Sequence, residues 1–278
     1  MGKISRKIVK IIMLIISRLK LGMFLGKIKT VKKLEKLIMK SVRPEFVILG
    51  GHTIYLDEED SLRLSINGLK YKEELEREIY KKHIKSGDVV IDVGAFIGDN
   101  TLDFARLVGE DGKVYAFEPN LKNFELLKKN IEINNYKNVI LINKAVSDKE
   151  GEVKMYSHPF KSTGDVIDNL GTISIDAIDL DSVIKGRVDF LKIDVEGTEQ
   201  QAIKGAQRIL KENPNLKMIL EIHPSKLKNP IDYLTSFINS GYKIYNLDKV
   251  FKEINKEGID DFLKEYKDNS SNIFLTKC

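Results

Sequence analysis

The chain has 278 residues, 42% of them apolar, a single cysteine and a net charge of +5. That length suits one α/β domain with an appendage and argues against two domains of independent function. Because the only cysteine is Cys278, an intrachain disulfide and a cysteine metal cluster are both excluded, and a reducing, cytoplasmic setting is expected. The charge is uneven: residues 1–40 carry twelve Lys or Arg against Glu35, a local charge of +11 that leaves −6 on residues 41–278. Ile8 to Leu25 is apolar, but Lys10, Arg18 and Lys20 interrupt it, so it falls short of the roughly 20 residues that a membrane-spanning helix needs. No small-residue cleavage site follows the Ile11–Ile16 run, which argues against a secretory signal. Two readings of the basic segment 1–44 stay open: an amphipathic helix lying peripherally on an anionic membrane surface, or a helix packed on the core with its lysines in water.

From Phe46 onward the elements follow in order. Phe46–Leu49 and His52–Leu56 alternate around Gly50-Gly51, the pattern of a short hairpin, and Lys72–Ile84 has helical spacing; residues 45–85 thus form a lead-in to a domain over 86–278. Val89–Val93 reads as a strand covered on both faces, and Asp99, Asn100 and Thr101 open a helix. Then come a strand at Val114–Phe117, a helix at Leu121–Ile133 closed by Asn134-Asn135, and a third strand at Val139–Val146. Strand-like Glu152–Tyr156 and Thr172–Ile178 flank a loop at Ser157–Gly171. The second half continues with strand Val188–Ile193, helix Thr198–Lys211, strand Leu216–Ile222, helix Ile231–Asn239, and strands Lys243–Leu247 and Asn272–Thr276. Strands alternating with helices require right-handed crossovers and a largely parallel sheet with helices on both faces.

Chemistry concentrates at Val89–Gly98, where a buried strand runs into Asp92, Gly94 and Gly98. The glycines let backbone approach a ligand, but Asp-x-Gly-x-x-x-Gly lacks the middle glycine that a pyrophosphate cradle requires. About 20 residues further on, Glu118 ends the next strand, where open α/β sheets place the carboxylate that accepts ribose hydroxyls. Together these describe a nucleoside site without a phosphate cradle, which suits S-adenosylmethionine (SAM) better than NAD.

At these residues the chain resembles the FkbM family of SAM-dependent methyltransferases, over roughly residues 72–278. The resemblance rests on Gly87–Gly98, Val114–Pro119, Asn143-Lys-Ala-Val-Ser-Asp148 and Phe190-Leu-Lys-Ile-Asp-Val-Glu-Gly-Thr-Glu199, with Glu221-Ile-His-Pro224 in support. It implies a Rossmann-like class I methyltransferase fold, with a mostly parallel seven-stranded sheet whose last strand is antiparallel. Phe96 departs from the pattern, standing where the family usually has Asn, and this puts a side-chain contact near the methionine end of SAM in question.

Asp92, Glu118, Asp148, Asp194 and Glu221 all fall at strand carboxyl ends, where such sheets bind ligands. Asp92 is read as orienting the glycine turn or reaching the SAM ammonium, with Asp99 as a further carboxylate beside Gly94 and Gly98, and Glu118 as the ribose ligand. Asp148 is read as meeting the adenine amino group, with Val146 and Ser147 as the wall. A hydroxyl acceptor must lose a proton during methyl transfer. Asp194 with Glu196 and Glu221 with His223 point to one side of their strands, and they supply the candidate catalytic groups, His223 as the base. These oxygens and one imidazole could hold a divalent ion, but the resemblance does not demand one and no metal is expected. His52, His83 and His158 are read as surface or loop residues.

The expected activity is O-methylation of a hydroxyl on a sugar, a glycan or a related small metabolite. The leading alternative among enzymes is a nucleic-acid methyltransferase, although nucleic acid is not an expected partner: the basic segment lacks interleaved aromatics, and Asp194-Val-Glu-Gly stands where an adenine-gripping Asn-Pro-Pro-Tyr motif would be. A non-catalytic nucleoside-binding or membrane-associated protein is the alternative outside enzymes. For the front end, a chain starting near Arg43 should retain SAM binding yet lose a salt-sensitive attachment to anionic liposomes, measured by co-sedimentation. If the full-length chain ignores such liposomes at low salt, the membrane reading is wrong.

Overall fold

The computed structural model describes residues 45–56, 71–156, 166–167, 171–249 and 251–277. The basic segment 1–44, His158 and most of the loop 157–171 therefore lie outside the described residues. Residues 48–55 and 69–278 make up one compact unit, and the elements below belong to it apart from the first two residues of β1.

The hairpin expected at the front is present as a two-stranded sheet, β1 (Phe46–Leu49) and β2 (His52–Tyr55). Helix α1 (Tyr71–His83) follows, then β3 (Val89–Val93), α2 (Asp99–Val108), β4 (Lys113–Phe117), α3 (Leu121–Ile133) and β5 (Val139–Ile142). After an inserted sheet, β10 (Phe190–Ile193) and β11 (Lys217–Ile222) return to the other side of β3, so the strand order reverses between β3 and β10. The strands β5, β4, β3, β10 and β11 are mutually parallel. Beyond them β14 (Ser271–Lys277) runs antiparallel to both β11 and β12 (Tyr242–Asn246). The antiparallel last strand is thus where it was expected, but among the described residues the sheet has eight strands. The extra one, the edge strand β13 (Lys252–Ile254), is three residues long and too short to show an alternating pattern.

Two other segments divide where one element was expected. Val139–Val146 leaves the main sheet at Ile142, and Ala145–Val146 becomes β6 of a second sheet. That sheet is completed by β7 (Gly151–Tyr156), β8 (Val166–Ile167) and β9 (Ile173–Ile178) in the order β6-β9-β7-β8. The helix expected over Thr198–Lys211 breaks into Glu199–Lys204 and Gln207–Glu212. The break falls at Gly205, where a Cβ would stand 2.0 Å from the backbone oxygen of Ser147.

Alternation along β10 divides the core in two. Leu191 and Ile193 join one apolar cluster with Ile91 and Val93, while Phe190 joins another with Val90, Ile219 and Phe274. On this second face Tyr80 of α1 and Phe104 of α2 meet edge to face, with centroids 4.7 Å apart, and Tyr80 meets Phe190 at 5.9 Å. Two histidines depart from the surface reading. His52 is 5% exposed with Nε2 2.8 Å from the Tyr136 hydroxyl, and His83 lies against Phe274 with ring centroids 4.9 Å apart. Phe190→Ala should lower the unfolding free energy by about 3–5 kcal/mol in urea titration, because it opens a cavity under two helices. A loss below about 1 kcal/mol would show that the ring is not the packed centre described here.

Candidate active site

The turn after β3 admits few residue types. Gly94 has φ of 83°, and a Cβ there would stand 1.8 Å from the backbone oxygen of Asp194 at the end of β10. The Gly94 and Ala95 N–H groups both donate to the Phe117 carbonyl at 2.9 Å, fastening the turn to β4. Gly98 has φ of 94° and precedes α2, and a Cβ on it would meet the Leu127 side chain at 2.5 Å. Between them Phe96 takes φ of 52°, a left-handed conformation strained for a bulky residue.

Asp92 is fully buried; its Oδ2 accepts a hydrogen bond from Thr101 Oγ1 at 2.6 Å, while Oδ1 has no hydrogen-bond partner. The carboxyl thus clamps the turn to the first coil of α2. Burial pushes its pKa up to about 6, despite the Lys192 ammonium and the Thr101 hydrogen bond, which both pull it down. Burial also raises Asp99. Glu118, 5% exposed, accepts the Phe96 N–H on Oε2 and the Asn120 N–H on Oε1, both at 2.9 Å. Asn143 Nδ2 donates to the Glu118 and Pro119 carbonyls at 2.8 and 3.1 Å, so the loop after β5 braces the loop after β4. Asp148 is exposed in a turn after β6, with Ser147 Oγ 3.4 Å from its Oδ1. Asp92, Gly94, Gly98, Asp99 and Glu118 are therefore drawn into one connected structure, which Asp148 does not join through any described hydrogen bond.

A second group stands at the ends of β10 and β11. Lys192 Nζ donates to Asp194 Oδ2 at 2.9 Å. The turn that follows carries two positive φ values, 54° at Glu196 and 110° at Gly197, and Lys226 Nζ donates to the Glu196 carbonyl at 2.6 Å. His223 is enclosed by acids: Nδ1 lies 3.3 Å from Glu199 Oε1, and Nε2 lies 3.4 Å from Glu196 Oε2 and 3.8 Å from Glu221 Oε2. Burial alone would lower the imidazole, but the Glu196 and Glu199 carboxylates overcome it and hold its pKa up at about 10. That surrounding favours the charged imidazole over the neutral one, so the base role expected for His223 from sequence competes with that of a fixed cation.

Those carboxylates are unequal. Asp194 and Glu221 each act on the other's ionisation. Burial opposes the charge on both, but the Lys192 ammonium holds Asp194 below the usual range, while the Asp194 charge lifts Glu221 further above it. The two carboxyls are therefore driven apart in acidity, Asp194 towards the charged form and Glu221 towards the protonated one. Glu196, Glu221 and His223 could each bring a ligand atom within 4.8 Å of the others, the arrangement among the described residues that could hold a cation. The charged imidazole already supplies positive charge there. Sequence reading missed Lys192, Glu199 and Asn143. For Lys192 the available signal was its position two residues before Asp194, which puts both on one face of the strand.

A family model described as the methyltransferase FkbM domain matches residues 92–245, more than half of the chain. A Sulfurisphaera tokodaii protein described as a probable cobalt-precorrin-6B C(15)-methyltransferase (decarboxylating) is 32% identical over 117 residues, 38% of this chain and 61% of that protein. The match therefore spans less than two thirds of that relative. A candidate rRNA methylase of Clostridium thermocellum superposes with a TM-score of 0.50 at 15% identity, over 75% of this chain and 97% of that one. For an FkbM methyltransferase of Methylobacillus flagellatus the TM-score is 0.45 at 16% identity, over 80% and 56%. The Clostridium likeness concerns the fold, a class I Rossmann-like methyltransferase fold.

The charge on His223 has a thermodynamic signature. Its folded pKa of about 10 lies above the ordinary 6.5, so the stability it contributes is complete below about pH 6.5 and is lost as pH rises towards 10. His223→Gln should therefore flatten the fall of Tm across that window relative to wild type, measured by calorimetry. Parallel curves would mean that the imidazole is uncharged.

Proposed function

The chain belongs to the FkbM methyltransferase family, and on that footing we propose that it transfers the methyl group of SAM to a hydroxyl of a sugar, a glycan or a related small metabolite. The observation that carries this reading is the close approach of Gly94 to the backbone oxygen of Asp194, which seats the donor turn against the strand end bearing the acidic pair. When bound, SAM supplies a methyl group on a positively charged sulfur. The described residues fit it: Asp92 has a buried oxygen without a partner beside the turn, and Glu118 is held on both oxygens by backbone N–H groups in the ribose position.

The residues on the acceptor side then divide the work. An acceptor hydroxyl placed at the end of β10 loses its proton to Asp194 as its oxygen gains the methyl carbon, and the electrons of the broken carbon–sulfur bond stay on sulfur. Asp194 keeps that proton until product leaves and then returns it to solvent, and charged His223 offsets the negative charge of Glu196 and Glu199. Holding the partners in line is the larger part of such a reaction. The Sulfurisphaera relative is described as a methyltransferase of cobalt-precorrin-6B and the Clostridium protein as an rRNA methylase, so carbon or nucleic-acid acceptors are the competing reading. Among the described residues no helix is long and apolar enough to cross a membrane.

Two substitutions test this. Glu118→Ala should weaken SAM binding tenfold or more, on the order of 1.5–3 kcal/mol by calorimetry, since a charged hydrogen-bond acceptor is lost. Asp194→Asn should leave SAM affinity within about twofold yet lower methyl transfer by roughly 10²–10⁴, followed with methyl-labelled SAM and a cell extract as acceptor source. Unchanged SAM affinity in the first variant defeats the donor site, and undiminished labelling in the second defeats the acid–base assignment. A ribonuclease-sensitive labelled product would replace the small-metabolite reading with nucleic acid.

A further inference from the structure

The turn between Gly94 and Gly98 is held at two of its peptides by side chains from outside it. Glu118 takes the Phe96 N–H, and Asn130 Nδ2 donates to the Ile97 carbonyl at 2.8 Å. The peptide joining Ile97 to Gly98 thus has its plane set at the N–H by the Ala95 carbonyl, 2.8 Å away, and at the oxygen by Asn130. Asn130 is fully buried on α3, three residues beyond the Leu127 side chain that a Cβ on Gly98 would meet. Its amide also serves the front hairpin: Oδ1 accepts the Tyr55 N–H at 2.7 Å, and Nδ2 donates to the Tyr55 carbonyl at 3.1 Å. Asn134, at the C-cap of the same helix, binds both backbone groups of Thr53 in the same way, at 3.0 and 2.7 Å. Four helical residues advance about 6 Å and two strand residues about 6.6 Å, so the two amides meet β2 in register, in the place of a neighbouring strand. They differ in what else they bind. Asn130 reaches the turn, whereas Asn134 donates to the Asn130 backbone carbonyl within its own helix.

We propose that Asn130 is a positioning residue for SAM: it fixes the Ile97–Gly98 peptide of the donor turn against the backbone of β2, and so makes the front hairpin a brace of the donor site. The residue acts through the turn. The idea rests on the reading of Gly94–Gly98 as the donor turn, and it brings in a segment, residues 52–55, that lies outside the family match at 92–245. The hairpin keeps other anchors, the His52 bond to the Tyr136 hydroxyl at 2.8 Å and the Arg106 bond to the Gly50 carbonyl, so loss of one amide does not release it. An asparagine serving only to attach the hairpin would be matched in its effects by Asn134.

The test compares Asn130→Ala with Asn134→Ala in the full-length chain, with SAM as the probe. Both variants lose bonds to β2, and Asn130→Ala also loses the bond to the turn. Asn130→Ala should weaken SAM by about three- to tenfold in calorimetry, the range for a neutral hydrogen bond, while Asn134→Ala stays within about twofold of wild type. With methyl-labelled SAM and a cell extract, Asn130→Ala should raise the SAM concentration for half-maximal labelling by the same factor and leave the rate at saturating SAM within about twofold of wild type. Equal affinities in the two variants, or a lower saturating rate with an unchanged half-maximal concentration, overturn the proposal. Should Asn130→Ala fail to fold, the coupling can be read in wild type by amide exchange. Saturating SAM should then slow the Tyr55 N–H by about threefold or more relative to the Thr53 N–H, because ligand and brace act on each other reciprocally, and equal slowing overturns the proposal. Glu118→Ala separates the two ideas: if it loses SAM affinity while Asn130→Ala does not, the donor site stands and the brace falls, and if neither variant loses affinity both fall.

Discussion

The backbone oxygen of Asp194 occupies the place that a side chain at residue 94 would need, and this contact sets the spacing of the whole site. It arises because the chain lays β3 down first, moves outward through β4 and β5, and returns to place β10 on the opposite flank of β3. Two parallel strands end side by side there, and the segments leaving them must diverge. With glycine at 94 the first segment turns back over the strand end at once, so the donor turn and the acidic pair face each other without an intervening layer of side chains. Any larger residue would have to part β3 from β10 at their carboxyl ends.

Charge follows a similar logic of enclosure. The site gathers Asp92, Asp99, Asp194, Glu196, Glu199 and Glu221, and the cations set against them include Lys192, His223 and, towards Asp99, Arg77. Their positions differ usefully. Lys192 lies below the strand ends among core residues, whereas His223 lies beyond them, with a side chain 14% exposed. Lys192 acts on Asp92 and Asp194, and His223 acts on Glu196, Glu199 and Glu221. Asp194, whose side chain is 37% exposed, lies between them and can meet solvent or a ligand.

What was legible in the sequence follows from how each signal is made. Val89–Val93, Lys113–Phe117, Phe190–Ile193 and Lys217–Ile222 were found because strands buried on both faces must be apolar runs. Asp92, Gly94 and Glu118 were found because turns and strand ends in such sheets have few chemical solutions. The split of Val139–Val146 was not legible, because it depends on Asn143 bonding the loop after β4, a contact made 25 and 24 residues away in the chain. The break at Gly205 likewise depends on Ser147, and local helical spacing carries no trace of it. Lys192 escaped because a lysine in a sequence is ordinarily read as solvated, and His52 escaped for a related reason. His223 was read by its ordinary imidazole chemistry, because the three acids that surround it come together only in the fold.

Phe96 gives the donor turn a character that its glycines do not. A phenylalanine at φ of 52° stores strain that the Glu118 hydrogen bond to its N–H helps to contain. Asparagine, usual at this position in the family, tolerates left-handed backbone far better. The loop therefore carries strain, and the catch that contains it is the carboxylate proposed for the ribose. A ligand that draws on that carboxylate also acts on the catch, so the grip of the loop and the occupancy of the site are one mechanical variable.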